Sequence, residues 1–175
     1  MSNDPGNVMD PLASRVAARF LALCAGSATP SFDKLLADKS KIEQTLGAAI
    51  KKLAPLADKV EDMSKKKYGY PGPDVFPHLK KMHEAAYLIF NPLRNILSDG
   101  AKELSGLETA TFPAAVQAKN LLAAMKDFNK AWMALGQVLQ DKNDDKDGEA
   151  EAVSHELAMA VTTLKTIFGQ YIASR

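Results

Sequence analysis

The side chains best spaced for chemistry are the oxygen donors at 143–148. Asn143, Asp145 and Asp147 stand at alternate positions, and Gly148 follows them. This order is typical of the first half of a calcium-binding loop, in which alternate oxygens face the ion and glycine permits a tight turn. The half-pattern predicts a calcium site with four candidate ligands: Asn143, Asp145, Asp147 and Glu151.

The second half of that loop departs from the calcium pattern. Calcium takes about six to eight oxygen ligands, and the usual loop closes with a two-oxygen glutamate at its twelfth position. Here that position is Ser154, while Glu151 stands ninth and Glu156 fourteenth. The alternative interpretation is a solvated acidic turn that leads into the positive N-terminal end of a helix.

The histidines do not have the spacing of a metal-binding pair. His78 and His83 are five residues apart, which places them about 140° apart around a helix. No histidine follows a glutamate by three residues, as the ligands of di-iron bundles do. His83 lies between Phe76 and Phe90 on a stripe that recurs every seven residues, so we expect a half-buried packing histidine.

Motifs of covalent and phosphate chemistry are missing from the sequence. Cys24 is the single cysteine, so neither an intramolecular disulfide nor a four-cysteine zinc site can form. There is no Gly-x-Ser-x-Gly turn, no phosphate-binding glycine loop and no His-Glu-x-x-His. The sequence therefore predicts a protein that is not an enzyme and needs no cofactor, unless the calcium half-pattern is used.

Two lysine clusters flank a loop at 68–74 that is rich in tyrosine, proline and glycine. If the loop joins two antiparallel helices, both clusters lie at one end of the fold, where they could bind an anionic protein, a lipid headgroup or a phosphate. The alternative is an ordinary solvated lysine surface. The candidate partner-binding residues are Lys65, Lys66, Lys67, Tyr68, Tyr70, Lys80 and Lys81, and Tyr87 with Leu88 is a second candidate surface, where the short first helix could dock.

Composition narrows the class of partner. The chain has 175 residues, 46% of them hydrophobic, which is enough for the core of one domain. The 22 basic and 21 acidic residues give a net charge of +1, so a nucleic-acid partner is not expected. No apolar run reaches the ~18 residues of a transmembrane span, and we expect a cytoplasmic protein.

Hydrophobic spacing then predicts the elements that position these residues. Hydrophobic residues in segment 31–66 recur at alternating intervals of three and four, which predicts a helix with these inward positions on one side. Lys39 occupies one of the inward positions. Pro55 lies on the outward side, where it should bend the helix without breaking it.

The same spacing predicts inward positions in segment 75–104, where Pro92 should kink the helix, at Val75, Leu79, Met82, Ala86, Ile89, Leu93 and Ile96. In segment 149–173 it predicts inward positions at Val153, Leu157, Ala160, Leu164, Ile167 and Tyr171. We expect a flexible segment at 1–9 and one domain at 10–175, with helices at 10–25, 31–66, 75–104, 112–140 and 149–173.

Short connections make consecutive helices antiparallel neighbours. The predicted fold is all-α, an antiparallel up-and-down four-helix bundle with an additional short N-terminal helix. The predicted function is a non-catalytic protein-interaction or structural module that binds a protein partner or itself. Alternatives are a bundle that binds calcium, a bundle that binds an apolar ligand near Phe128, Trp132 and Phe168, and a bundle that acts at a membrane surface.

Overall fold

The computed structural model describes residues 15, 30–66, 75–105, 111, 113–141 and 149–175. Within these ranges the chain is helical and has no strand. The predicted segment 1–9 lies outside the described residues, as does the helix predicted at 10–25 apart from Arg15. The main helices are α1 (Pro30–Ala37), α2 (Lys39–Lys66), α3 (Phe76–Asn95), α4 (Pro113–Gln140) and α5 (Glu149–Ala173).

The four long helices of the described ranges form a closed bundle. Each packs on two neighbours, in the cyclic order α2, α3, α4 and α5, and α1 packs near the C-terminal end of α3. This confirms the predicted all-α, antiparallel up-and-down bundle. None of the helices in the described ranges combines the length and the apolar character needed to cross a membrane.

Local sequence explains where the last two helices begin. α4 starts with Pro113, whose fixed backbone angle and missing N–H suit the first helical position. α5 has Glu149 and Glu151 in its first turn, where carboxylates interact favourably with the positive end of the helix dipole. These signals lie in the residues themselves, so both starts were predictable to within about one residue.

Burial follows the predicted inward positions closely in α3 and less closely in α5. Every inward position predicted from 75 to 96 is buried: Val75, Leu79, Met82, Ala86, Ile89, Leu93 and Ile96. In α5 the inward positions Ala160 and Ile167 are only partly buried, whereas Val161 and Phe168, which stand beside the inward positions, are buried. An α-helix has about 3.6 residues per turn, so its inner face drifts by ~20° for every seven residues against a 3.5 repeat.

The segment predicted as one helix over 31–66 is divided at Asp38. The Asp38 N–H donates to the Lys34 carbonyl at 3.0 Å, and the Ile42 N–H donates to the Asp38 carbonyl at 3.0 Å, so helical bonding continues on both sides of this turn. Lys39 follows the turn and is exposed. Its charge therefore stays in water although the residue stands in an inward position of the sequence pattern.

The two internal prolines have different surroundings. α2 runs through the exposed Pro55 without a break, whereas α3 contains Pro92 and ends soon after it, at Asn95. A wider π-helical turn, Ile96–Gly100, and a short helical piece, Ala101–Glu103, continue the chain. The helix predicted over 75–104, with a kink expected at Pro92, therefore contains a π-helical turn that begins four residues after the proline, which has removed one backbone donor.

Candidate functional site

Two large hydrophobic side chains are exposed on the outer side of α3. Tyr87 is 52% exposed and Leu88 is 59% exposed, although both are large hydrophobic side chains. They lie beside the inward residues Ala86 and Ile89, so α3 has apolar side chains on both its inner and its outer side. An amphipathic helix of a bundle normally keeps its outer side polar.

Tyr87 and Leu88 border a groove of about 420 Å³ between α3 and the α1–α2 segment. A smaller hollow of about 160 Å³ adjoins it, because both are lined by Thr45 and Leu88. Along α3 the two together extend from Ala85 to Asn95, which is about 15 Å at ~1.5 Å per residue. We call this combined surface the α2/α3 groove.

The described rim of the α2/α3 groove is mostly basic. Lys34, Lys41 and Arg94 line the larger part and Lys52 the smaller, against the single carboxylate of Asp38 among the described lining residues. All five side chains are exposed. The groove thus combines apolar residues, among them Leu88, with the uncharged polar residues Thr45, Asn91 and Asn95 and a positive rim, although the whole chain is nearly neutral with a net charge of +1.

Tyr87 packs against a cluster of rings on α3 and α4. Trp132 stacks on His83 with a centroid distance of 4.8 Å and on Phe90 at 5.0 Å, and Tyr87 lies tilted against it at 5.9 Å. The Trp132 indole N–H donates to the His83 carbonyl at 3.2 Å. These contacts restrict the position of Tyr87 before any partner binds.

The predicted packing role of His83 agrees with its surroundings. His83 is partly buried, and burial lowers the pKa of its imidazole below the ordinary 6.5, while the nearby Glu84 carboxylate acts in the opposite direction. A depressed pKa keeps the ring neutral at physiological pH. The ring cluster therefore adds no positive charge to this side of the molecule.

Comparisons with known protein families, curated proteins and solved structures found no match to this chain.

The predicted basic end of the bundle is described only in part. Lys80 and Lys81 are exposed on α3, and Lys65 with Lys66 belongs to the final turn of α2. Lys67, Tyr68 and Tyr70 lie outside the described residues, as do the side chains of Lys65 and Lys66. An anion-binding surface at this end stays a prediction.

The predicted calcium ligands are also described only in part. Asn143, Asp145 and Asp147 lie outside the described residues, whereas Glu151 lies in the first turn of α5. Ligand atoms of Glu151, His155 and Glu61 all lie within 4.8 Å of one another. Only the spacings between histidines and the Glu-x-x-His pattern were tested in the sequence, so this group was missed. Glu151 and His155 are four residues apart, and Glu61 comes from another helix.

The residues proposed for an apolar ligand form part of the core. Phe128 is 0% exposed and Phe168 is 1% exposed, and Trp132 is partly buried beside Tyr87. Their observed contacts are those of packing residues in the bundle.

Proposed function

We propose that this protein is a non-catalytic interaction module that binds an acidic, amphipathic helix of a partner protein in the α2/α3 groove. The observation that supports the proposal most directly is the exposure of Tyr87 and Leu88 beside a groove with a basic rim. Full burial of an exposed leucine side chain contributes about 1.5–3 kcal/mol, and because roughly half of Tyr87 and of Leu88 is still exposed, covering both would contribute about that much in total.

Shape supports a helical occupant. The groove lies between two helices that pack side by side, and its length of about 15 Å matches three turns of a helix. Helix-in-groove binding uses apolar anchors at helical spacing, and Leu88 and Tyr87 would contact such anchors. An extended peptide would find no strand edge, because the described residues contain no strand.

Charge supports an acidic occupant. The four cations Lys34, Lys41, Lys52 and Arg94 would face carboxylates on the flanks of the bound helix. Exposed ion pairs contribute little affinity each, but a complementary rim accelerates association and selects among partners. Binding should therefore weaken as the salt concentration rises, because salt screens exposed charges.

A selection experiment tests the proposal. A displayed library of amphipathic helical peptides is selected against the full chain, and the recovered peptides are tested against Leu88→Glu and against Met159→Glu, a matched change at the exposed Met159 of α5. We expect an excess of Asp and Glu among binders and about tenfold weaker binding to Leu88→Glu. Failure to recover binders, lack of an acidic bias, or equal binding to both variants would refute the proposal.

The native occupant is identified with a photo-crosslinking residue in place of Tyr87. A crosslink that maps to an acidic helix of a different protein supports the proposal. A crosslink to residues 10–25 of the same chain, or to a second copy of it, shows that the groove is covered by the protein itself and overturns the proposed partner.

A further inference from the structure

A second group of side chains lies on α2 and α5, another neighbouring pair of helices. Glu151 and His155 are four residues apart, so they share one face of α5. Glu61 reaches them from α2, which packs against α5. The group thus links two helices that are far apart in the sequence.

The distances in this group suit a metal ion. The His155 Nε2 atom lies 3.2 Å from the Glu61 Oε2 atom, and one ligand atom from each of the three residues lies within 4.8 Å of the others. Tetrahedral zinc with ligands at about 2.0–2.2 Å places its donor atoms roughly 3.3–3.6 Å apart. Small side-chain rotations would therefore bring the three donors to bonding distance.

The donor set selects the class of ion. One imidazole nitrogen and two carboxylate oxygens suit a borderline ion such as Zn²⁺, whereas Ca²⁺ and Mg²⁺ prefer oxygen ligands alone. All three residues are partly buried, with 39% of the His155 side chain and 30% of the Glu61 side chain accessible to solvent.

We propose that Glu61, Glu151 and His155 bind one divalent transition-metal ion, with Zn²⁺ as the best-matched ion and water in the remaining position. Partial exposure gives the ion a route of entry and leaves room for that water. The bound ion would join α2 to α5 and stabilise the folded bundle, because an ion that binds only the folded state shifts the folding equilibrium. This site is independent of the α2/α3 groove.

The test uses the untagged full chain and ZnCl₂. The protein contains three histidines, so a ¹H–¹³C NMR spectrum of the imidazole rings shows which one binds. We expect one equivalent of Zn²⁺ to shift the His155 signals while those of His78 and His83 stay in place, and to raise the melting temperature. Calorimetry should give binding at least about tenfold weaker for Glu61→Gln, Glu151→Gln and His155→Gln.

The matched control is Glu156→Gln, which removes the same charge from an exposed neighbour of His155. It should bind Zn²⁺ as the unmodified protein does. The proposal is overturned if Zn²⁺ does not bind, if it shifts His78 or His83 instead, or if Glu61→Gln and Glu151→Gln leave the affinity unchanged. Tighter binding of CaCl₂ than of ZnCl₂ would also overturn it, since imidazole does not favour calcium.

Discussion

Tyr171 is a buried residue whose polar atom has no hydrogen-bond partner among the described residues. Its side chain is 0% exposed, and the ring packs 5.7 Å from Phe32. Burial, with smaller effects from Asp33 and Glu103, raises the pKa of Tyr171 to about 12, and Arg175 acts in the opposite direction. The hydroxyl therefore stays neutral and contributes to the core mainly through its ring.

The first prediction concerns this hydroxyl. Tyr171→Phe should raise the free energy of unfolding by about 1 kcal/mol, because it removes a buried polar atom that has no partner in the described part of the chain. The melting temperature should rise by about 2–4 °C. A raised pKa contributes stability that is present below the ordinary value of 10.0 and is lost as the pH rises through about 12, so the variant should also lose less stability in alkali. Lower stability in thermal and urea unfolding would contradict this.

His83 predicts a response to acid. Because its pKa is lowered in the folded state, the unfolded chain binds the proton more readily, and stability is present above the ordinary value of 6.5 and lost as the pH falls through the lower folded value. Urea unfolding of the unmodified protein and of His83→Gln should show this: the variant should lose less stability between neutral pH and about pH 5. Equal losses in both proteins would mean that His83 titrates normally.

At the scale of elements, the π-helical turn Ile96–Gly100 determines how the end of α3 meets α1. Gly100 is buried there, and a Cβ atom at this position would lie 3.1 Å from the Ile96 Cγ2 atom and 3.6 Å from the Phe32 Cε2 atom. Gly169 in α5 is the opposite case, because a Cβ atom there would have no neighbour within 4 Å. Close packing therefore requires glycine at position 100, whereas the space around position 169 would accept a side chain.

The two glycines should respond in opposite directions to the same change. Gly169→Ala should stabilise the protein by about 0.5–1 kcal/mol, because alanine lowers the entropic cost of helix formation and meets no obstacle. Gly100→Ala should destabilise it by about 1–3 kcal/mol, because the added methyl group crowds Ile96. Denaturant unfolding of both variants is the measurement. A gain of stability for Gly100→Ala would show that the end of α3 can shift to accept the methyl group.

At the scale of the whole molecule, one hydrophobic core connects the described helices. Leu53, Leu79, Leu121 and Leu157 come from four different helices, and each is 0% exposed. Each long helix of the described bundle packs on two neighbours, so the unfolding of one helix would expose buried residues of both neighbours. Cooperative unfolding of the bundle is the expected consequence.

Leu53→Ala tests that expectation. The cavity and the lost burial should lower the free energy of unfolding by about 2–5 kcal/mol. Helix content by circular dichroism and the fluorescence of Trp132, the only tryptophan, should still change in one coincident transition. The exposed Lys59→Ala is the control and should change stability by no more than about 0.5 kcal/mol. Two separated transitions would show that the helices do not share one cooperative core.

Sequence alone determined the helices and much of what they bury. The inward residues of α3, from Val75 to Ile96, were all predicted, because apolar spacing and helix starts are local properties of the chain. Short connections then made an antiparallel bundle the expected arrangement. The two exposed residues Tyr87 and Leu88 were also noticed from their position outside the inward pattern.

Tertiary structure decided the features that depend on packing between distant segments. It selected Val161 and Phe168 for the core of α5, placed the π-helical turn after Asn95, and paired Glu61 with His155. It also put Lys34 and Lys41 along the same groove as Leu88. Hydrophobic spacing predicts which residues avoid water. Which side chains meet depends on two further factors: the rotation of each helix's inner face along its length and the neighbouring helix on which it packs.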